Sequence, residues 1–123
     1  MIERYSRKEI KSIWEDYNKY TIWLSIELAA AEAMEKLKLI PKGVAKSVKS
    51  KATINVKRIL QIEEKVKHDV IAFLTSITEK AGKNARYLHK GMTSSDVLDT
   101  CFNLQLKQSG EILLRDINQL LIS

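Results

Sequence analysis

Apolar residues recur every three or four positions along most of the chain, which is the spacing of one face of an α-helix. Polar and charged residues occupy the positions between them, and no long stretch alternates as a half-buried strand does. The pattern therefore predicts an all-α fold. The helices are predicted over about residues 7–17, 22–37, 42–52, 56–66, 70–81 and 94–123.

Short polar side chains mark the expected helix starts. Ser6 with Glu9, and Thr93 with Asp96, have the three-residue spacing of a capping box, in which each residue bonds a backbone N–H of the other. The last helix is therefore predicted to begin at Ser94. The other predicted N-caps are Asn55 and Asp69.

Breaker residues mark the expected ends and bends. A break is predicted within residues 18–21, and Pro41 ends the second helix because the residue before proline avoids helical geometry. Gly82 is the predicted C-cap of the fifth helix, and residues 83–92 are predicted to be a loop. Gly110 is the expected bend in the last helix.

Composition limits the class of protein. With 123 residues, four glycines and one proline, the chain has the length of one domain and few turns. Cys101 is the single cysteine, on an apolar helical face, and it predicts a buried thiol and a cytoplasmic protein. The first ten residues do not have the pattern of a signal peptide, and no apolar run reaches the roughly 18 residues of a membrane span.

The net charge of +6 is open to three interpretations: nucleic-acid binding, a phosphorylated small molecule, or solubility alone. Lysines supply most of the positive charge, and they are mixed with glutamates along the chain. The densest basic stretch, residues 42–58, has no interleaved aromatic residues. A solvated surface is thus favoured over a nucleic-acid partner.

Three polar clusters are candidate binding sites, and the first two are short runs near helix starts. Arg4 and Tyr5 could clamp an anion through a guanidinium fork and a phenol, or form a frayed terminus with a surface arginine. Lys67, His68 and Asp69 could bind an anion or transfer a proton, or form a helix junction capped by Asp69.

The third cluster is His89 with the hydroxyl residues of the last helix start. Thr93, Ser94 and Ser95 supply three hydroxyls where a cap needs one, and a helix N-terminus attracts carboxylates and phosphates. An over-supplied cap after a surface histidine is the alternative. Neither a metal-ligand cluster nor a glycine-rich phosphate loop is present in the sequence, so no metal and no cofactor is expected.

Taken together, these motifs resemble the N-terminal part of adenylosuccinate lyase, a family of the fumarase and aspartase superfamily. The resemblance covers residues 1–118 through several motifs in order, which is more specific than any one motif. They are residues 1–7, Ile13-Trp14, Trp23-Leu24 with Glu27, Ile40-Pro41, Arg58 to Glu63, Lys67 to Phe73 and His89 to Thr100.

The resemblance implies a lyase that eliminates fumarate from adenylosuccinate to give AMP, and from the succinyl-carboxamide imidazole ribotide of purine synthesis. It implies that Arg4 and Tyr5 bind the substrate phosphate and that Thr93 and Ser94 hold the succinyl carboxylate. Substrate binding by Lys67, His68 and Asp69 is implied as well. Lys67 departs from the family's more usual arginine. His68 and His89 are implied to assist catalysis.

The resemblance also implies what these 123 residues lack. The family's general base is a serine on a glycine-rich loop and its general acid a histidine in a Thr-His motif, and neither segment is in the sequence. We therefore expect an N-terminal domain at residues 1–91, the truncated start of a central helical bundle at 92–123, and no activity of this segment alone. The full protein is expected to be a homotetramer with shared sites, without nucleic-acid or membrane partners.

Two other functions remain as alternatives. One is a basic helical interaction or nucleic-acid-binding module. The other is a different lyase of the superfamily, such as an argininosuccinate lyase or an aspartase, against which Arg4 and Tyr5 argue because those substrates carry no phosphate.

Overall fold

The computed structural model describes residues 2–123 and leaves Met1 outside them. Those residues form six α-helices and two short 3₁₀ helices, with no strand among them, so the all-α prediction is confirmed. The α-helices are α1 Lys8–Ile13, α2 Asp16–Lys36, α3 Val44–Lys51, α4 Val56–Val66, α5 Asp69–Ala81 and α6 Ser94–Ile122; the 3₁₀ helices are Glu3–Tyr5 and Gly82–Tyr87.

Three aromatic rings form the centre of the core where α2 crosses α5. Tyr20 and Trp23 meet edge to face at 5.1 Å between ring centroids, and Phe73 lies edge to face with Trp23 at 5.5 Å. All three side chains are almost completely buried. Edge-to-face pairs of this kind add to the free energy gained from burial alone, and they join α2 to α5 at the centre of the core.

The first helix ends earlier than the sequence predicts. The break lies at Trp14 and Glu15, between α1 and α2, and residues 18–21 are helical. The Ile13 carbonyl, left without a partner inside α1, accepts bonds from Asn18 Nδ2 at 2.8 Å and Gln105 Nε2 at 2.9 Å. Side chains from α2 and α6 thus satisfy the end of α1.

The predicted capping residues have mixed outcomes. Asn55 caps α4 by accepting the Arg58 N–H at 3.0 Å, and Gly82 is the C-cap of α5, so both predictions are confirmed. The Ser6 capping box is wrong: Ser6 Oγ donates to the Ile2 carbonyl, and Glu9 binds Arg115 of α6 at 2.7 Å. Much of the predicted loop at 83–92 is the 3₁₀ helix Gly82–Tyr87.

Helix α6 has one buried face along its first half, where Phe102, Leu104 and Leu106 remain exposed, and an exposed second half. Its first half packs on α1 and α2 through Val97, Cys101 and Gln105, and the helix continues through Gly110 without interruption. The second half keeps its large apolar side chains in solvent. They are Leu113, Leu114, Ile117, Leu120, Leu121 and Ile122. The division of the chain at residue 91 stays a prediction.

Candidate functional site

Arg4 and Tyr5 lie in the first 3₁₀ helix and form a pair. Arg4 Nη2 donates to the Tyr5 hydroxyl at 2.9 Å, and the guanidinium carbon lies 4.9 Å from the centroid of the Tyr5 ring. Both residues are exposed. The remaining guanidinium donors therefore face solvent, where an anion can reach them.

The Lys67-His68-Asp69 cluster is the junction between α4 and α5. Lys67 ends α4 in the left-handed conformation, with φ +55°. His68, and not Asp69 as predicted, is the N-cap of α5: its Nδ1 accepts the Ile71 N–H at 3.3 Å. Asp69 is the first helical residue, and its carboxylate accepts the adjacent Val70 N–H. The extended backbone of His68 places its ring over the first turn, where the sequence pattern favoured a carboxylate.

The start of α6 has the predicted capping box. The Asp96 carboxylate accepts the Thr93 N–H at 2.9 Å, which keeps Asp96 in the first turn of the helix. Thr93 is exposed and Ser94 is half-buried. The helix N-terminus therefore presents its hydroxyl residues at the surface.

His89 is held by a carboxylate that the sequence analysis did not assign to the site. Glu27 of α2 is 1% exposed. Its Oε2 accepts the His89 backbone N–H at 2.7 Å, and its Oε1 lies 2.6 Å from His89 Nδ1. A signal was present in the sequence: Glu27 shares the apolar face of α2 with Trp23 and Ala31, at spacings of four residues, where a carboxylate needs a partner.

The first two clusters are held by local contacts, whereas His89 of the third is held by Glu27 of α2. Within residues 2–123, no hydrogen bond or ion pair joins two of the three clusters. Their assembly into one site therefore stays a prediction. The cleft of about 740 Å³ beside α1 and the second half of α6 involves Glu9, Tyr17 and Arg115, and none of the predicted binding residues lines it.

Two buried groups of the core have raised pKa values. Burial, followed by the charges of Asp16, Glu63 and Asp69, raises the pKa of Tyr20 to about 12. Burial also raises the pKa of the Cys101 thiol, which is buried as predicted. Both groups stay protonated at neutral pH, so they have a structural role in the core.

The part of the chain that the structure describes holds no group of three or more His, Cys, Asp or Glu side chains that could bind a metal ion. None of its helices is both long and apolar enough to cross a membrane.

Comparison with known proteins identifies a relative in sequence and one in structure. No family model matches the chain. The adenylosuccinate lyase of Bacillus subtilis (strain 168) is 43% identical over 119 residues, which are 97% of this chain and 28% of that enzyme. The crystal structure of a fumarate lyase from Mesorhizobium sp. BNC1 superposes with a TM-score of 0.83 at 22% identity, covering 92% of this chain and 27% of that one.

The structural match and the sequence match support different conclusions. At 22% identity the structural likeness shows the fold alone, whereas the sequence match confirms the resemblance to adenylosuccinate lyase and favours it over the basic interaction or nucleic-acid-binding module. The chain spans about a quarter of the length of either relative. It is therefore similar, over nearly its whole length, to a segment of adenylosuccinate lyase, and it has the fold of the corresponding part of a fumarate lyase.

Proposed function

We propose that this chain is part of an adenylosuccinate lyase, which eliminates fumarate from adenylosuccinate to give AMP and from the succinyl-carboxamide imidazole ribotide. The observation that carries the proposal is the 43% identity to such an enzyme along 97% of the chain. Because the chain spans 28% of that relative, the proposal concerns the full-length gene product that contains these residues.

The polar clusters suit the charges of such a substrate. Adenylosuccinate carries a phosphate and two carboxylates, which need cations and N–H or O–H donors in a site. The exposed Arg4–Tyr5 pair offers donors to the phosphate. Thr93 and Ser94, at the start of a 29-residue helix, offer donors and a positive helix end to a carboxylate.

Lys67 offers a single positive charge beside His68. The lysine conserves the charge of the family's more usual arginine but not its two-pronged hydrogen bonding. Its left-handed backbone, at φ +55°, is that of a helix C-cap, because Lys67 ends α4.

The elimination itself needs two proton transfers. A base removes a proton from the carbon next to one carboxylate, the electron pair forms the fumarate double bond, and the C–N bond breaks as an acid protonates the nitrogen. Negative charge grows on that carboxylate, where donors such as Thr93 and Ser94 lower the barrier. His68 and His89 assist in binding and proton transfer, while the principal acid and base come from segments outside these 123 residues.

The proposal extends to assembly and location. We place the full-length protein in the cytoplasm as a homotetramer with shared sites and without a cofactor. The exposed apolar second half of α6 supports the assembly, because such a surface is stable when another helix covers it.

The test is an activity assay of the full-length gene product. We expect adenylosuccinate to be converted into equal amounts of AMP and fumarate, followed by absorbance and chromatography. Argininosuccinate and aspartate serve as control substrates, and turnover of either in place of adenylosuccinate would identify a different lyase of the superfamily. The 123-residue chain alone should release no fumarate; release by that chain would contradict the assignment of the acid and base to other segments.

A further inference from the structure

Glu27 is a buried carboxylate with one partner residue. Its side chain is completely shielded from solvent, on the face of α2 that forms the core. Burying a carboxylate is unfavourable unless it is paired, and an amide or an apolar side chain would fill the same space without that cost. Among residues 2–123 its hydrogen bonds go to His89 alone, through both carboxylate oxygens.

The second observation is the backbone of His89. Its φ of +61° lies in the left-handed region, which is sparsely populated by residues other than glycine. The bond from the His89 N–H to Glu27 Oε2 supports this conformation. Two separate bonds from Glu27 therefore hold His89, one to its backbone N–H and one to its ring. The His89 side chain remains 20% exposed.

The ring bond determines which nitrogen carries the hydrogen. An ionised carboxylate accepts hydrogen bonds and donates none, so with Glu27 ionised Nδ1 of His89 carries the hydrogen that lies between it and Glu27 Oε1. In the neutral ring this leaves the lone pair on Nε2, and no hydrogen bond of the described residues engages that atom. Any proton that His89 takes up or releases then passes through Nε2.

His68 has the opposite arrangement. Its Nδ1 accepts the Ile71 N–H as the cap of α5, so the hydrogen of the neutral ring lies on Nε2. The two histidines of the chain thus present different groups: His68 an N–H donor and His89 a lone pair. The two rings are therefore distinguished by which nitrogen carries the hydrogen in the neutral form.

We propose that Glu27 is a positioning residue of the lyase site: its buried carboxylate fixes the orientation and the tautomer of His89, so that Nε2 is the atom that exchanges a proton with the substrate. The inference rests on the proposed function for its catalytic consequence. The tautomer itself is independent of that function. A carboxylate that orients a histidine in this way is a recurring device in enzyme sites.

The tautomer is tested in the 123-residue chain labelled with ¹⁵N-histidine. At a pH well above the usual histidine pKa of about 6.5, two-bond ¹H–¹⁵N correlations distinguish an Nδ1–H ring from an Nε2–H ring. We expect one ring of each kind, and the variant H68N should retain only the Nδ1–H ring. An Nε2–H ring for His89 in the unsubstituted chain would overturn the proposal without any variant.

The variant E27Q adds the causal test. Its amide oxygen can still accept the backbone N–H, while its NH₂ group can only donate to Nδ1, so we expect His89 to change to the Nε2–H form. The matched control is E32Q, an exposed glutamate of the same helix, which should leave both rings unchanged. An unchanged His89 tautomer in folded E27Q, checked by circular dichroism, would reject the role of Glu27.

The catalytic consequence is measured in the full-length protein. We expect E27Q to lower kcat by about 10-fold or more, because the lone pair is no longer on Nε2, with a smaller change in KM. E32Q should retain normal kcat. A normal kcat in E27Q despite the changed tautomer would remove His89 Nε2 from the reaction, whereas the absence of any lyase activity in the unsubstituted protein would contradict the proposed function and leave the tautomer result standing.

Discussion

At the scale of single residues, a pair's geometry does not by itself identify a binding site. Arg86 and Tyr87 form the same pair as Arg4 and Tyr5: Arg86 Nη2 donates to the Tyr87 hydroxyl at 2.8 Å, with the guanidinium 4.8 Å from the ring centroid. The chain therefore contains its own control for the phosphate-binding role of Arg4.

We predict that R4A raises KM for adenylosuccinate in the full-length protein by about 10- to 100-fold, since a hydrogen bond to a charged group contributes about 1.5–3 kcal/mol. kcat should change little, because the phosphate lies away from the bond that breaks. R86A is the matched control and should keep normal kinetics. Steady-state kinetics of the two variants decide the matter, and equal KM values for both would remove Arg4 from the phosphate site.

Glu35 shows a residue-scale effect of pH on stability. Its carboxylate accepts the N–H groups of Ala45 at 2.6 Å and Gly43 at 3.1 Å at the start of α3. These bonds, that of Ala45 first, lower the pKa of Glu35 below its usual value. A lowered folded-state pKa gives stability that is present above the unfolded-state pKa and is lost as the pH falls through the folded-state value.

We therefore predict that the urea midpoint of the chain falls on acidification below about pH 4.3, the usual glutamate pKa. In E35Q, whose amide does not titrate, the difference in midpoint from the unsubstituted chain should be largest at neutral pH and shrink in acid. Urea titrations at several pH values measure it. A difference that is constant from neutral pH into acid would show that the Glu35 charge does not contribute.

At the scale of elements, one side chain can serve both a helix and a site. His68 caps α5 through Nδ1, so a loss of activity on its substitution could reflect a damaged helix start. Asparagine is among the preferred N-cap residues, and it can accept the Ile71 N–H in place of His68 without supplying an imidazole.

We predict that H68A lowers both turnover and stability, the stability by about 1 kcal/mol or less because the cap bond is long. H68N should keep the stability and still lose turnover. Urea unfolding and steady-state assays on the two variants separate the roles. Normal turnover in H68N would make His68 a capping residue only.

At the scale of the whole molecule, the first half of α6 packs on α1 and α2, whereas its second half carries exposed apolar side chains. Gln105, in the first half of α6, binds the end of α1. Farther along the helix, Asp116 binds Arg7 and Arg115 binds Glu9. These contacts hold α6 against α1. The apolar side chains beyond Gly110 nevertheless remain exposed, with Leu113 at 56% and Ile117 at 53%.

We predict that the 123-residue chain self-associates at high concentration through this half of α6. Sedimentation velocity should show larger species that the double substitution L113K/I117K converts into monomer. L37K, at an exposed leucine after α2, is the control and should leave association unchanged. A monomer at every concentration would contradict the role of this surface in assembly.

Local signals were sufficient for most elements of the fold. Helical periodicity, the Asn55 cap, the Thr93–Asp96 box and the Gly82 stop depend on residues a few positions apart, and each is present in the structure. The predicted binding residues also came from short motifs, and their joining into one site stays a prediction. What the sequence determined is therefore the set of helices and the caps at Asn55 and Thr93, but not those of α1 and α5.

The tertiary structure decided the contacts between distant positions. The end of α1 depends on Gln105, 92 residues from Ile13, and the tautomer of His89 depends on Glu27, 62 residues away. Ser6 did not form its box: its hydroxyl donates to the Ile2 carbonyl, and Glu9 bonds to Arg115 of α6. A sequence pattern describes neighbours along the chain, whereas a buried donor or acceptor takes its partner from whichever helix packs beside it, and only the packing of α2, α5 and α6 determines that partner.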